Sequence, residues 1–300
     1  AKDINKDGPY RGLVTDGRNH YTHPHNASQL YKVDEPNPYV EAFFKWWETD
    51  LHKSLIELRI TGGEPLMSAD TWRLIEWFNE NKNKSTTRLA INTNLGAKDA
   101  LIDKLIDASH NIESLDIYTS CEAVGHRAEY IRDGLDWNKW SANMHRIATE
   151  AKIRGLHIMA TPSVLSIMKI TEFLDWCLDF KKQYGKDFPA VSLNILRFPS
   201  FQSVVILPDN MKEAAAEFLE RWLEKNIDSG LLHLMEIDQI KRLAGYLRSV
   251  SVPHERASAN DLLVCDFRNF TIQFDDRRSK NLYESCPEIA QWLEDKTWPI

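Results

Sequence analysis

Ile56-Glu57-Leu58-Arg59-Ile60 runs straight into Thr61-Gly62-Gly63-Glu64-Pro65, a short apolar run closed by a diglycine turn. Two glycines let the backbone approach a ligand closely and leave N–H and C=O groups open for hydrogen bonds. Glu64 adds a carboxylate suited to an ammonium or hydroxyl group, and Pro65 stiffens the exit into the next helix.

Outward from that turn the chain alternates. From Pro38, Val40, Phe43, Phe44, Trp47 and Leu51 recur at three- and four-residue steps and predict a helix. A second helix carries Trp72, Ile75, Trp77 and Phe78, and Leu89-Ala90-Ile91 reads as a strand. Leu101 to Ser109 reads as a helix and Ser114 to Tyr118 as a strand. Trp137 to Arg154 reads as a long helix, and Leu156 to Thr161 as a strand that Pro162 stops. Ile170 to Tyr184 is helical in pattern, and Ala190 to Leu196 is the fifth strand.

Five strand–helix units in a row predict an α/β protein with a parallel sheet, and right-handed crossovers curl such a sheet into a barrel or partial barrel. Polar residues cluster just after the strands, the end at which barrels of this kind build their sites. Asn210 to Asn226 predicts an amphipathic helix, and two helical pieces follow, around Leu231 to Arg242 and Leu243 to Ser249. Ser251 to Asn260 reads as a polar linker before the tail. The expected division is 1–37 as a polar lead-in loop, 38–208 as the barrel, and 209–300 as a mainly helical cap.

Composition narrows the function. The chain is 43% hydrophobic and 27% charged, with a net charge of −7, so no broad electrostatic signal points to nucleic acid. No stretch approaches the roughly 18 uninterrupted apolar residues of a membrane helix. Cys121, Cys177, Cys265 and Cys286 lie far apart and form no local metal knuckle, which reads as four reduced thiols in a cytoplasmic protein. His20, His23 and His25 lie close together without a carboxylate or Cys at ligand spacing, and fit a solvated loop better than a metal site.

Thr61-Gly62-Gly63-Glu64-Pro65-Leu66 is similar to the radical S-adenosylmethionine (radical SAM) motif that holds the methionine amino group. Asn92-Thr93-Asn94-Leu95-Gly96 resembles that family's polar turn after its third strand. Thr119-Ser120-Cys121-Glu122-Ala123-Val124-Gly125 resembles its fourth-strand turn, with Glu122 where an Asp is usual. Glu129-Tyr130-Ile131-Arg132, with Gly134 and Trp137, looks like the stretch whose Arg pairs with the methionine carboxylate. Ala190 to Asn194, Pro199 and Leu207-Pro208 fit the sixth strand and its exit.

The resemblance implies a partial (β/α)6 TIM-like barrel missing its first strand, with a cap of the twitch or SPASM-like kind. It implies S-adenosyl-L-methionine as cofactor, gripped by Gly62, Gly63, Glu64, Pro65, Asn92, Asn94, Ser120, Glu122, Arg132 and Thr161. It further implies reductive cleavage to a 5′-deoxyadenosyl radical and hydrogen abstraction from a peptide, nucleotide-derived or small-metabolite substrate. A [4Fe–4S] cluster and a reductant such as flavodoxin or ferredoxin belong to that chemistry.

The cluster's Cys-x3-Cys-x2-Cys has no match here, so the first strand and its loop are expected before Ala1, and the 300-residue chain alone is expected to be inactive. Trp137 and Trp140 are expected in the core, and Cys265 and Cys286 cannot complete a four-thiolate auxiliary site. A cluster-less barrel binding S-adenosylmethionine or a nucleotide, as sensor or scaffold, is the second expectation. An unrelated metal-dependent barrel enzyme is the third.

Overall fold

A computed structural model describes residues 2–16, 35–82, 84–250 and 257–295. The His20, His23 and His25 group lies outside them. Five strands, β1 (Glu57–Ile60), β2 (Arg88–Asn92), β3 (Leu115–Thr119), β4 (Gly155–Ala160) and β5 (Ala190–Leu193), form one parallel sheet in chain order.

The helices are α1 (Lys2–Asp7), α2 (Pro38–Trp46), α3 (His52–Ser54), α4 (Ala69–Glu80), α5 (Asp99–Ser109), α6 (Gly125–Ile131) and α7 (Trp137–Glu150). They continue as α8 (Ile170–Tyr184), α9 (Asp209–Asn226), α10 (Leu234–Ser249), α11 (Ala257–Arg278), α12 (Leu282–Ser285) and α13 (Pro287–Asp295). No helix among the described residues is long and apolar enough to cross a membrane.

The strands obey their period of two. Leu58, Ile60, Leu89, Ile91, Leu115, Ile117, Leu156, Ile158, Ala160, Val191 and Leu193 join one hydrophobic cluster with residues of α4, α5, α7 and α8. Trp140 is fully buried there, stacked 5.3 Å from Trp137, and its Nε1 donates to Thr119 Oγ1 at 3.1 Å. Both tryptophans therefore belong to the packing beneath the sheet.

Several boundaries depart from the sequence reading. α7 stops at Glu150 rather than Arg154, because Arg154 N–H already bonds Leu115 O beside β3. The two pieces expected after Asn226 merge into α10, started by Glu236, whose carboxylate accepts from His233 N–H at 2.9 Å. The expected linker is helical from Ala257. The lead-in, expected as a loop, carries α1 and docks on α11. Tyr10 and Leu13 are buried, Tyr10 stacks 5.0 Å from Phe270, and Asp266 accepts the N–H groups of Val14 and Thr15.

The two edges of the sheet differ. α10 lies along β5, where Val191 N–H donates to Glu236 Oε1 (2.8 Å), Leu193 N–H to Gln239 Oε1, and Arg242 Nη2 to Leu193 O (2.9 Å). Side chains of one helix thus satisfy an edge that would otherwise expose unpaired backbone groups. Along β1, among the described residues, no hydrogen bond closes the outer edge, and a cleft of ≈ 600 Å³ opens between α2, β1 and α4.

Glu236 also faces Lys181 Nζ at 3.0 Å, and both side chains are almost fully buried. Removing one member of such a pair leaves a buried charge alone. Glu236→Ala is expected to lower unfolding stability by about 3–5 kcal/mol in denaturant titration. Glu236→Gln, which keeps an acceptor for Val191, costs less. Equal losses would show that the retained acceptor adds nothing and that the unpaired Lys181 charge accounts for the whole cost.

Candidate functional site

Parallel pairing in sequence order puts every candidate residue after the same end of the sheet. Gly62, Gly63, Glu64 and Pro65 follow β1; Asn92 and Asn94 end and follow β2; Ser120 and Glu122 follow β3; Thr161 follows β4. Arg132 sits at the end of α6, in the loop that leads from β3 into α7.

Glu64 closes the first gap. Its Oε1 accepts Leu66 N–H at 3.1 Å and Thr93 Oγ1 at 2.7 Å, and its Oε2 accepts Asn94 N–H at 2.8 Å. Pro65 begins the short 3-10 turn that Glu64 caps. One carboxylate therefore pins the exit of β1 to the exit of β2. Asn94 Oδ1 accepts Gly96 N–H at 2.7 Å, and Thr93 Oγ1 accepts Leu95 N–H, which holds Leu95 at a φ of 53°. Asn143 Nδ2 anchors the turn from below through Leu95 O.

Glu122 does the same at the next gap. It is buried, hydrogen-bonded to the Thr161 backbone, and receives both Nε and Nη2 of Arg132 on Oε2, at 3.1 and 2.6 Å. The guanidinium read as the partner of a ligand carboxylate is thus paired with Glu122. The nearby acids Glu129 and Asp136 are engaged elsewhere: Glu129 accepts Trp137 N–H, and Asp136 caps α7 through Lys139 N–H.

What stays open for a ligand is mostly small or backbone. Gly62 and Gly63 are exposed with empty space where a Cβ would stand, and Gly62, at φ 133°, adopts a conformation that side chains resist. Ser120 and Thr161 are half-buried, and their hydroxyls make no hydrogen bond among the described residues. Asn92 Oδ1 is buried without a partner. This set of carbonyls, hydroxyls and one orphaned amide oxygen fits the ammonium and hydroxyl groups of an amino-acid nucleoside. The guanidinium nearest to serve its carboxylate, Arg132, is already paired with Glu122.

The same residues do not fit an iron–sulfur cluster. No group of three His, Cys, Asp or Glu side chains able to hold a metal exists among the described residues. Cys121, Cys177 and Cys286 are buried free thiols. Burial pushes Cys121 and Cys286 up to about 12 and raises Cys177 as well, so they stay protonated where ligands must be thiolates.

Sequence reasoning passed over the opposite, concave face of the strands. Glu57 and Arg59, Asp116 and Tyr118, and His157 share a side of the sheet by register. Alternation of polar and apolar residues along these strands was the available signal.

No protein-family model matches the chain, and no curated protein matches it. Among solved structures, the chain is similar to one described as native anSMEcpe with bound AdoMet and Cp18Cys peptide. That match has 12% identity and a TM-score of 0.42, over 65% of this chain and 54% of that one. Native anSMEcpe with bound AdoMet matches at 12% identity and a TM-score of 0.41, over 65% and 53%. The chain spans about half the length of these structures.

The Glu122–Arg132 pair makes a pH-dependent prediction. Burial holds the Glu122 carboxyl above the usual carboxylate range, and Arg132 pulls it part of the way back. A carboxyl raised by folding favours the folded state below its unfolded value, and that advantage is lost as pH rises through its folded value. Arg132→Ala is therefore expected to cost about 2–3 kcal/mol at pH 7. The deficit against the parent should shrink as pH falls toward 5 in parallel denaturation curves. A pH-independent deficit would show that Glu122 carries no buried charge.

Proposed function

We propose that this chain is an S-adenosylmethionine-binding barrel of the radical SAM type. Its ligand groups sit at the carboxyl ends of β1 to β4. The observation that carries the reading is the Gly62–Gly63 turn, exposed and unobstructed beside Glu64, at the same end of the sheet as Asn92, Ser120 and Thr161.

In this reading the carbonyls of the diglycine turn and the remaining lone pair on Glu64 Oε2 take the ammonium. Ser120, Asn92 and Thr161 serve the ribose hydroxyls or the carboxylate. Arg132 acts through Glu122, holding the β3 and β4 exits in register. The activity proposed is reductive cleavage of S-adenosylmethionine, with the radical passed to a peptide, nucleotide-derived or small-molecule substrate. A reductant of the flavodoxin or ferredoxin kind supplies the electron.

The open edge of β1 and the cleft against α2 support a sixth strand on this side, which would complete a partial (β/α)6 barrel. In this reading residues 209–300 are the cap, and its last helix is held to the barrel where Arg127 of α6 grips Glu288 of α13 by two bonds, at 2.6 and 2.9 Å. The absence of a thiolate trio from the described residues favours a second reading, a cluster-less binder of S-adenosylmethionine or a nucleotide.

Calorimetric titration with S-adenosylmethionine tests the shared premise. Saturable one-site binding is expected, weakened at least tenfold by Gly63→Val, a loss of about 1.4 kcal/mol. The melting temperature should stay unchanged, because the added carbons enter open space. No heat of binding to the parent chain would overturn the proposal. After reconstitution with iron, sulfide and a strong reductant, this chain is expected to form no 5′-deoxyadenosine. Its formation would overturn the inactive-chain reading.

A further inference from the structure

The interior of a packed barrel is filled by branched aliphatic residues. The concave face of this sheet carries instead Glu57, Arg59, Arg88, Asp116, Tyr118 and His157, with Arg154 leading into β4. The Arg59, Arg88, Arg154 and His157 side chains keep 38, 32, 49 and 25% of their exposure, so the described residues leave this face unfilled. Three guanidiniums stand against the carboxylates of Glu57 and Asp116, a local positive balance in a chain of net charge −7.

The groups are ordered. Ala90, between β1 and β3, is small enough for Arg59 to cross β2 and place its guanidinium 4.1 Å over the Tyr118 ring. The other side of Tyr118 stacks on His157, with centroids 4.3 Å apart and planes 14° from parallel. The stack fixes the imidazole, and Gly155 makes room for it. A Cβ at Gly155 would collide with His157 Nε2 and stand 2.8 Å from Asp116 Oδ1, although the backbone there does not itself require glycine.

Beneath His157 lies an incomplete pair. Asp116 is fully buried; Arg154 takes its Oδ2, while Oδ1 has no hydrogen-bond partner. His157 Nε2, equally without a partner, points at Oδ1 from 3.6 Å, too far for a hydrogen bond. No described residue bonds Nδ1, which is left to the open face. A buried carboxylate behind one imidazole nitrogen and a free second nitrogen in front is how proteins set a histidine to exchange protons.

We infer that the concave face is a binding site for a small anionic molecule bearing an O–H or N–H, with His157 as its acid–base group, Asp116 as positioning residue and Arg59 as anion contact. A proton passes from the ligand O–H or N–H to Nδ1, its electron pair staying on the ligand, and Asp116 holds the imidazolium that results. The charged and titratable groups facing His157 are Asp116 and Tyr118 on β3, Arg154 before β4, and Arg59 on β1. Desolvation keeps the imidazole below its ordinary value, with Asp116 opposing, so it stands neutral and ready to accept at pH 7. The inference goes beyond S-adenosylmethionine binding at the rim and does not depend on it.

Nitrogen-15 NMR of histidine-labelled full chain, titrated with citrate, tests it. His157 is expected to carry its proton on Nε2 and to titrate below ordinary imidazole. Asp116→Asn should lower that value further, by removing the opposing charge. Citrate should shift Nδ1 saturably and raise the His157 value, and Arg59→Gln should weaken citrate by about tenfold, the loss of one charge-assisted bond. Gly155→Ala should displace the His157 signals with the fold intact.

A proton on Nδ1, citrate that leaves His157 unmoved, or an Asp116→Asn variant whose His157 titrates unchanged or higher would overturn the inference. The first two readouts use the parent chain and survive a variant that fails to fold. S-adenosylmethionine added to the same sample reports through the amides of Gly62 and Gly63, so failure at the rim and failure on the concave face are separately visible.

Discussion

A single carboxylate, Glu64, holds the start of the site together. By accepting Leu66 N–H, Thr93 Oγ1 and Asn94 N–H it ties the turn after β1 to the turn after β2. Glu122 repeats the device between the β3 exit, the Thr161 backbone and Arg132. Loops at the end of a sheet are held only by what they bond to, and here two partly or fully buried acids do the holding. The atoms left to meet a ligand are accordingly backbone groups of glycines, small hydroxyls and one amide oxygen.

The sheet presents two chemically different faces to two different tasks. Its outer face is aliphatic and packs on α4, α5, α7 and α8 in one continuous core. Its inner face is charged, with Arg59, Tyr118 and His157 stacked across three strands. The edges differ as well. Glu236, Gln239 and Arg242 of α10 satisfy β5, whereas β1 borders a cleft. The sheet is thus sealed along β5 and open along β1.

Much of the fold was legible because hydrophobic period and turn chemistry agreed: five apolar runs, each followed by a helical stretch, gave five parallel strands in order. Boundaries slipped where tertiary bonds decide them, as at Arg154, captured by β3, and at Ala257, where α11 begins early. The sequence marks the diglycine turn, and the structure leaves open space around Gly62 and Gly63. The site was less legible in its charges. Nothing in the spacing of Glu122 and Arg132 told that they would neutralise each other, since a ten-residue separation passes through a turn and a helix. The concave face is hidden in the sequence because Ile56, Leu58 and Ile60 make that stretch look apolar, although Glu57 and Arg59 alternate with them.

Hydrogen–deuterium exchange with and without saturating S-adenosylmethionine addresses the central claim most directly. The account predicts slowed exchange confined to residues 61–66, 92–96, 119–123 and 160–162, the exits of four neighbouring strands. Protection elsewhere, or no change at any of these exits, would contradict it.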